Sequence, residues 1–126
     1  MNRREDYFQK LLELMDTLRG PGGCPWDQEQ TRETLKPLLV EEAFEVLEAL
    51  DGSDSNELCD ELGDLLFQVV FHAQMAAEVG AFDFDAVTLG ICNKMIRRHP
   101  HVFGNETECA HSAVPGSWEH IKAAER

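Results

Sequence analysis

The sequence predicts an all-α fold: a four-helix-bundle-like arrangement followed by a short C-terminal helix, in one domain spanning all 126 residues. Three observations carry this. Apolar residues recur at helical spacing through four long segments. Each segment is bounded by helix punctuation, with Gly or Pro at its end or an acidic cap at its start. No run alternates polar and apolar residues convincingly enough to read as a strand.

The first helix is expected from Arg4 to Arg19, with Phe8, Leu11, Leu12, Met15 and Leu18 at helical spacing. Gly20-Pro21-Gly22-Gly23 stops it, and a loop then carries Cys24-Pro25-Trp26-Asp27. The second helix begins at Thr34 or Pro37 and runs to Leu50; Pro37 suits a first turn, and Asp51-Gly52 closes the end. Asp54 with Glu57 reads as a capping box for the third helix, which runs to Val79 before Gly80. Asp85 caps a fourth helix of about 13 residues that Pro100 ends. Residues 101–116 read as loop, and Ser117 to Glu125 as the short terminal helix.

Composition narrows the function classes. Lys and Arg number 11 against 24 Asp and Glu, a net charge of −13, with 43% hydrophobic and 28% charged residues. That balance fits neither a disordered acidic tail nor a membrane protein. It argues against a nucleic-acid partner, because backbone binding needs a surplus of cations on one face. Gln68, His72 and Gln74 break the longest apolar stretch before it reaches the ~18–20 residues of a membrane helix. No apolar segment follows the basic pair Arg3-Arg4, so no secretory signal is read. Cys24, Cys59, Cys92 and Cys109 lack metal-site or redox spacing, which points to the reducing cytoplasm.

The chemistry is expected where the second and third helices meet. On the second, Leu39, Val40, Ala43, Phe44, Val46, Leu47 and Leu50 form the core face, leaving Glu41, Glu42, Glu45 and Glu48 on the remaining arc. A solvated acidic face would explain that helix alone. The third is apolar on nearly all sides, yet Glu57, Glu61, Asp64, Gln68 and His72 fall into one stripe at i+3 and i+4 steps. A polar stripe on a buried helix must face partners or a cavity. A short turn at Gly52-Ser53 makes the two helices antiparallel neighbours, so Glu42, Glu45, Glu61 and Asp64 can converge on one point, the alternatives being shared protons or side chains splayed outward. Carboxylates ~4 Å apart repel by roughly 4 kcal/mol at an effective dielectric of about 20, so four ionise together only with cations among them. All-oxygen ligands select Mg²⁺ or Mn²⁺ over zinc.

Other side chains carry two readings each. His72 is a hydrogen-bonded core histidine before it is a ligand, and His99 is a cation at a helix C-terminus before it is part of a His99-Pro100-His101 metal site. Lys94, Arg97 and Arg98 share one face near the end of the fourth helix, as dipole compensation or as a clamp for a polyphosphate. Trp26 either stacks on a base or anchors its loop.

These residues resemble a family. Glu41-Glu42-x-x-Glu45 followed by Glu61-x-x-Asp64 is similar to the signature of the MazG-type nucleoside triphosphate pyrophosphohydrolases, in the all-α NTP pyrophosphatase superfamily. Gly23-Cys24-Pro25-Trp26-Asp27, Glu61-Leu62-Gly63-Asp64-Leu65-Leu66, Arg98-His99-Pro100-His101-Val102-Phe103-Gly104 and Trp118 with Ile121-Lys122 extend the resemblance over roughly residues 8–125. It implies Mg²⁺-dependent hydrolysis of a nucleoside triphosphate to the monophosphate and pyrophosphate, in a homodimer or higher oligomer. It implies Glu42, Glu45, Glu61 and Asp64 as metal ligands, Glu41 as an auxiliary acid that orients or deprotonates water, and Lys94 with Arg97 or Arg98 on phosphate. Longer members carry two such units, and this chain resembles the first, either as a single-unit enzyme or as half of a larger one.

Two rivals remain from the residues themselves. A di-iron bundle needs Glu-x-x-His pairs on facing helices, and the chain offers only Glu108 to His111, in the loop-like stretch. A regulatory nucleotide-binding module would keep the fold without turnover. A homo-oligomer is expected independently of the family, because three partner helices cannot easily cover a third helix apolar nearly all round.

Overall fold

The computed structural model describes residues 3–104 and 117–125. Every regular element among them is helical: α1 (Arg3–Arg19), α2 (Pro25–Glu29), α3 (Arg32–Asp51), α4 (Ser55–Glu78), α5 (Phe84–Arg98), α6 (Pro100–Phe103) and α7 (Ser117–Ala124). The chain forms two compact units, Met1–Phe84 and Asp85–Arg126. Cys109, the Glu108–His111 pair and the rest of 105–116 lie outside the described residues.

In the first unit α4 is the central helix. It pairs most extensively with α3 and also packs on α1. Met15, Leu35, Val70, Phe71 and Met75 form the buried cluster, with Leu11, Leu12, Leu38, Phe67 and Phe84 against it. Burying a side chain such as Phe71 stabilises the fold by about 2–3 kcal/mol.

Arg19, the last residue of α1, ties three elements together. Its Nε and Nη2 donate to Glu78 at 3.1 and 2.6 Å, and Nη1 donates to the carbonyls of Asp27 and Gln30 at 2.7 and 2.9 Å. The guanidinium also lies 5.5 Å from the Phe71 ring centroid. The turn before α2 needs its glycines. Gly22 has φ +79°, and a Cβ at Gly23 would collide with the carbonyls of Thr17 and Leu18.

Several boundaries differ from the sequence expectation, each for a local reason. The Cys24–Asp27 loop contains the short helix α2, begun by Pro25 at its first position. Helix α3 starts at Arg32, because Thr31 and Thr34 form a reciprocal capping box; Pro37 therefore stands inside the helix rather than in its first turn. At α4 the Asp54 carboxylate caps through the Asn56 N–H at 2.9 Å. Asp85 lies within the first turn of α5, not at its cap, and α6 occupies the start of the stretch read as loop.

The core face expected on α3 is largely exposed. Val46 is buried and Ala43 half-buried, but Leu39, Val40, Phe44, Leu47 and Leu50 face outward, the last three at 58% exposure each. The buried side of α3 instead carries Leu35, Leu38, Glu42, Glu45, Val46 and Ala49, a rotation of roughly a third of a turn. Helix α4 is likewise not buried all round, since Leu62, Leu66 and Val69 are exposed. No helix among the described residues is long and apolar enough to cross a membrane.

Candidate metal centre

Three residues, Gly52 to Asp54, connect α3 to α4, so the helices return on one another. Glu42 and Glu45 stand three residues apart on α3, and Glu61 and Asp64 three apart on α4. One carboxylate oxygen from each of the four lies within 4.8 Å of all the others. The convergence expected from the sequence is therefore what the fold produces.

The electrostatics of this cluster are those of carboxylates that crowd and partly desolvate one another. Burial, then the carboxylates of Glu45 and Asp64, push the Glu42 carboxyl above its ordinary range. Burial, then its hydrogen bond and charge interaction with Glu45, push Glu61 to about 7. Glu42 Oε2 and Glu61 Oε2 are shielded from solvent with no hydrogen-bond partner. Among the described residues, no Lys or Arg forms an ion pair with any of the four. Buried acceptors without donors, an all-oxygen set and no neutralising side chain are the requirements of a hard divalent cation. The residues fit a metal.

Around the cluster, Glu41 is exposed on α3 and adds to the field on Glu42, while Glu48 and Glu57 are exposed and outside the set. Gln68 is only 7% exposed, and its Oε1 has no partner. His72 is half-buried with Nε2 shielded and unpartnered, which corrects the expectation of a hydrogen-bonded core histidine. Trp26 is half exposed on α2 rather than anchored in the core.

The cationic trio belongs to the second unit, where α5 carries all three residues. Lys94 is exposed. Arg97 Nε and Arg98 Nε donate to the two carboxylate oxygens of Glu125, just past α7, at 2.8 and 2.7 Å. Those two guanidinium groups, Arg97 first, hold the Glu125 carboxyl down at about 2. His99 Nδ1–H donates to the Met95 carbonyl at 2.6 Å, capping the end of α5 as its position predicts.

Sequence reading missed Arg19, which acts through partners up to 59 residues away that no local pattern reveals.

The comparisons agree with this geometry. The sequence profile of the MazG nucleotide pyrophosphohydrolase domain matches residues 30–103, which contain all four carboxylates. The chain is 48% identical over 119 residues to the nucleoside triphosphate pyrophosphohydrolase/pyrophosphatase MazG of Thermotoga maritima, covering 94% of this chain and 45% of that protein. It is 52% identical over 122 residues to the nucleoside triphosphate pyrophosphohydrolase of Escherichia coli K12, covering 96% and 46%. To the Mycobacterium tuberculosis protein of the same name it is 35% identical over 127 residues, covering 99% and 38%. The chain thus spans less than half the length of these relatives. With a matched profile over more than half its residues and the acidic quartet assembled, this chain belongs to the MazG nucleotide pyrophosphohydrolase domain family.

Proposed function

We propose that the chain acts as a single domain that hydrolyses (deoxy)nucleoside triphosphates to the monophosphate and pyrophosphate, with Mg²⁺ or, alternatively, Mn²⁺. The observation that carries this reading is the convergence of Glu42, Glu45, Glu61 and Asp64, with two shielded carboxylate oxygens lacking donors. These four residues hold the metal. Bound there, it supplies a lowered water pKa and offsets charge on the transferring phosphoryl group.

The chain's own residues do the rest. Glu41, one residue before Glu42, orients the attacking water and accepts its proton. The water oxygen forms the new bond to the α-phosphorus, the α–β bridging bond breaks, and pyrophosphate leaves with the bridging oxygen. Lys94 with Arg97 or Arg98 binds phosphate oxygens and stabilises charge on the leaving group. Trp26 offers an aromatic face to the nucleoside. The choice of the α–β bond is supported by the names of the relatives, since four carboxylates alone would permit stepwise phosphate removal.

The exposed apolar residues of α3 and α4, among them Phe44, Leu47, Leu50 and Leu62, support a homodimer or higher homo-oligomer as the working unit. The cellular role that follows is removal of unwanted nucleotides from the cytoplasmic pool. One observation favours a second reading, a weakly active regulatory half of a two-unit protein: Glu125 already occupies both guanidinium groups. Pyrophosphate release across the eight common NTPs and dNTPs with Mg²⁺ decides between them. Turnover abolished by Glu45→Gln supports the enzyme; binding without turnover supports the regulatory half.

A further inference from the structure

The second unit closes a contact on itself that phosphate binding has to undo. Arg97 and Arg98, adjacent in the last turn of α5, both donate through Nε to the carboxylate of Glu125. Arg97 reaches Oε1 at 2.8 Å and Arg98 reaches Oε2 at 2.7 Å. Two guanidinium groups thus hold one planar oxyanion, each on a different oxygen. Paired arginines present the same donors to a phosphoryl group, and here a carboxylate stands in its place.

The contact is built to yield. The Arg97 side chain is 56% exposed, and its two terminal nitrogens have no partner among the described residues. An incoming anion can therefore engage this guanidinium before Glu125 leaves. The element that delivers Glu125 is weakly held. Helix α7 has eight residues, too few for a helix to sustain itself in water, and none of its side chains from Glu119 to Ala124 is buried. Ion pairs this exposed contribute little to stability. A polyphosphate brings several negative charges and many acceptor oxygens where Glu125 brings one charge and two oxygens. It is the stronger partner for the same donors.

We infer that Glu125 is a displaceable latch: in the resting chain its carboxylate fills the guanidinium pair, and a polyphosphate that takes Arg97 and Arg98 expels it. The inference rests on the proposed function, in which these arginines bind phosphate oxygens. The occupied clamp is then a threshold, because binding must first displace an internal anion. A chain latched about nine-tenths of the time would bind phosphates about tenfold more weakly than the open pair.

Titration of the intact chain with inorganic tripolyphosphate, without metal so that the acidic cluster takes no part, tests the exchange. In nitrogen-15 NMR the Nε–H signals of Arg97 and Arg98 and the backbone amide of Glu125 should move together along one saturation curve. Sodium chloride at matched ionic strength should leave them in place. Glu125→Gln removes the charge and keeps the shape, so it should bind tripolyphosphate at least about threefold tighter and lower KM for nucleoside triphosphates to match. Glu119→Gln makes the same charge change elsewhere on α7 and should alter neither constant. A Glu125 amide that stays still while tripolyphosphate binds would overturn the latch. So would no binding at Arg97 and Arg98, or a Glu125→Gln variant that binds no tighter than Glu119→Gln. Should Glu125→Gln lose helix by circular dichroism, the wild-type titration decides alone. Should the wild type release no pyrophosphate from nucleoside triphosphates, the proposed function falls and the same titration still decides: joint movement supports the latch, and a still Glu125 amide overturns it. Pyrophosphate release with a still Glu125 amide overturns the latch and leaves the proposed function standing.

Discussion

Replacing Glu45 by Gln should make the metal-free protein more stable and the Mg²⁺-loaded protein less stable than wild type. The substitution keeps size and hydrogen-bonding capacity while removing one charge from the quartet. Two unit charges 4.8 Å apart, the outer limit of this cluster, repel by about 0.9 kcal/mol in water-like surroundings and about 3.5 kcal/mol at an effective dielectric of about 20. Glu42 and Glu45 are half-buried and Asp64 is exposed, which places the relief toward the lower limit, at about 1–2 kcal/mol. For a chain of this size each kcal/mol moves Tm by about 4 °C. In EDTA at about pH 8, above the Glu61 value of about 7, Glu45→Gln should therefore melt about 4–8 °C above wild type. Mg²⁺ at about a hundred times its Kd adds about 2.7 kcal/mol to the wild type by mass action and little to the variant. The order of the two melting curves thus reverses when metal is added. Circular dichroism melts of both proteins, with EDTA and with millimolar Mg²⁺, read this directly. A variant less stable than wild type in EDTA, or one that gains as much from Mg²⁺, would refute the reasoning.

Four further outcomes follow from the same structure. Because Glu61 titrates at about 7 in the metal-free protein, Mg²⁺ binding at pH 7 should release about half a proton, rising toward one below pH 6 and vanishing above pH 8.5; calorimetry in buffers of different ionisation enthalpy measures it, and no buffer dependence would contradict it. Its raised pKa also means that this group's contribution to metal-free stability falls as pH rises from 4.5 to about 7. Arg19→Met should cost about 2–3 kcal/mol in urea unfolding, because it strands the Asp27 and Gln30 carbonyls and Glu78, and Arg19→Lys should not restore it. Glu125, held at about 2 by Arg97 and Arg98, adds stability that is present above 4.5 and lost as pH falls toward 2, so amide protection in α7 should disappear over that range.

What the sequence revealed, and what it did not, divides along physical lines. The acidic quartet was legible because helical period fixes which side chains share a face, and the short turn at Gly52 fixes which two faces meet. The stripe through Gln68 and His72 was legible for the same reason; the cavity beside His72 was not, since Arg19, the residues 30–32 and the end of α4 build it together. The apolar face of α3 was misassigned. Hydropathy registers Phe44, Leu47 and Leu50 as apolar without distinguishing a face covered by the chain's own helices from one left open. Helix α2 is too short for periodicity to register, and the true start of α3 depended on a two-threonine box outweighed by the usual place of Pro37. Arg97 and Arg98 were correctly placed on one face. Their occupation by Glu125 required knowing where α7 folds back, which spacing along the chain does not contain.

In the proposed reaction Glu42, Glu45, Glu61 and Asp64 hold the metal and Glu41 orients water toward an α-phosphorus. The most direct measurement is hydrolysis of a nucleoside triphosphate in ¹⁸O-labelled water with Mg²⁺, followed by mass spectrometry of the products, for wild type and Glu45→Gln. Wild type should form unlabelled pyrophosphate and a nucleoside monophosphate carrying one ¹⁸O, and Glu45→Gln should form neither. Diphosphate with labelled orthophosphate, or label in the pyrophosphate, would contradict it.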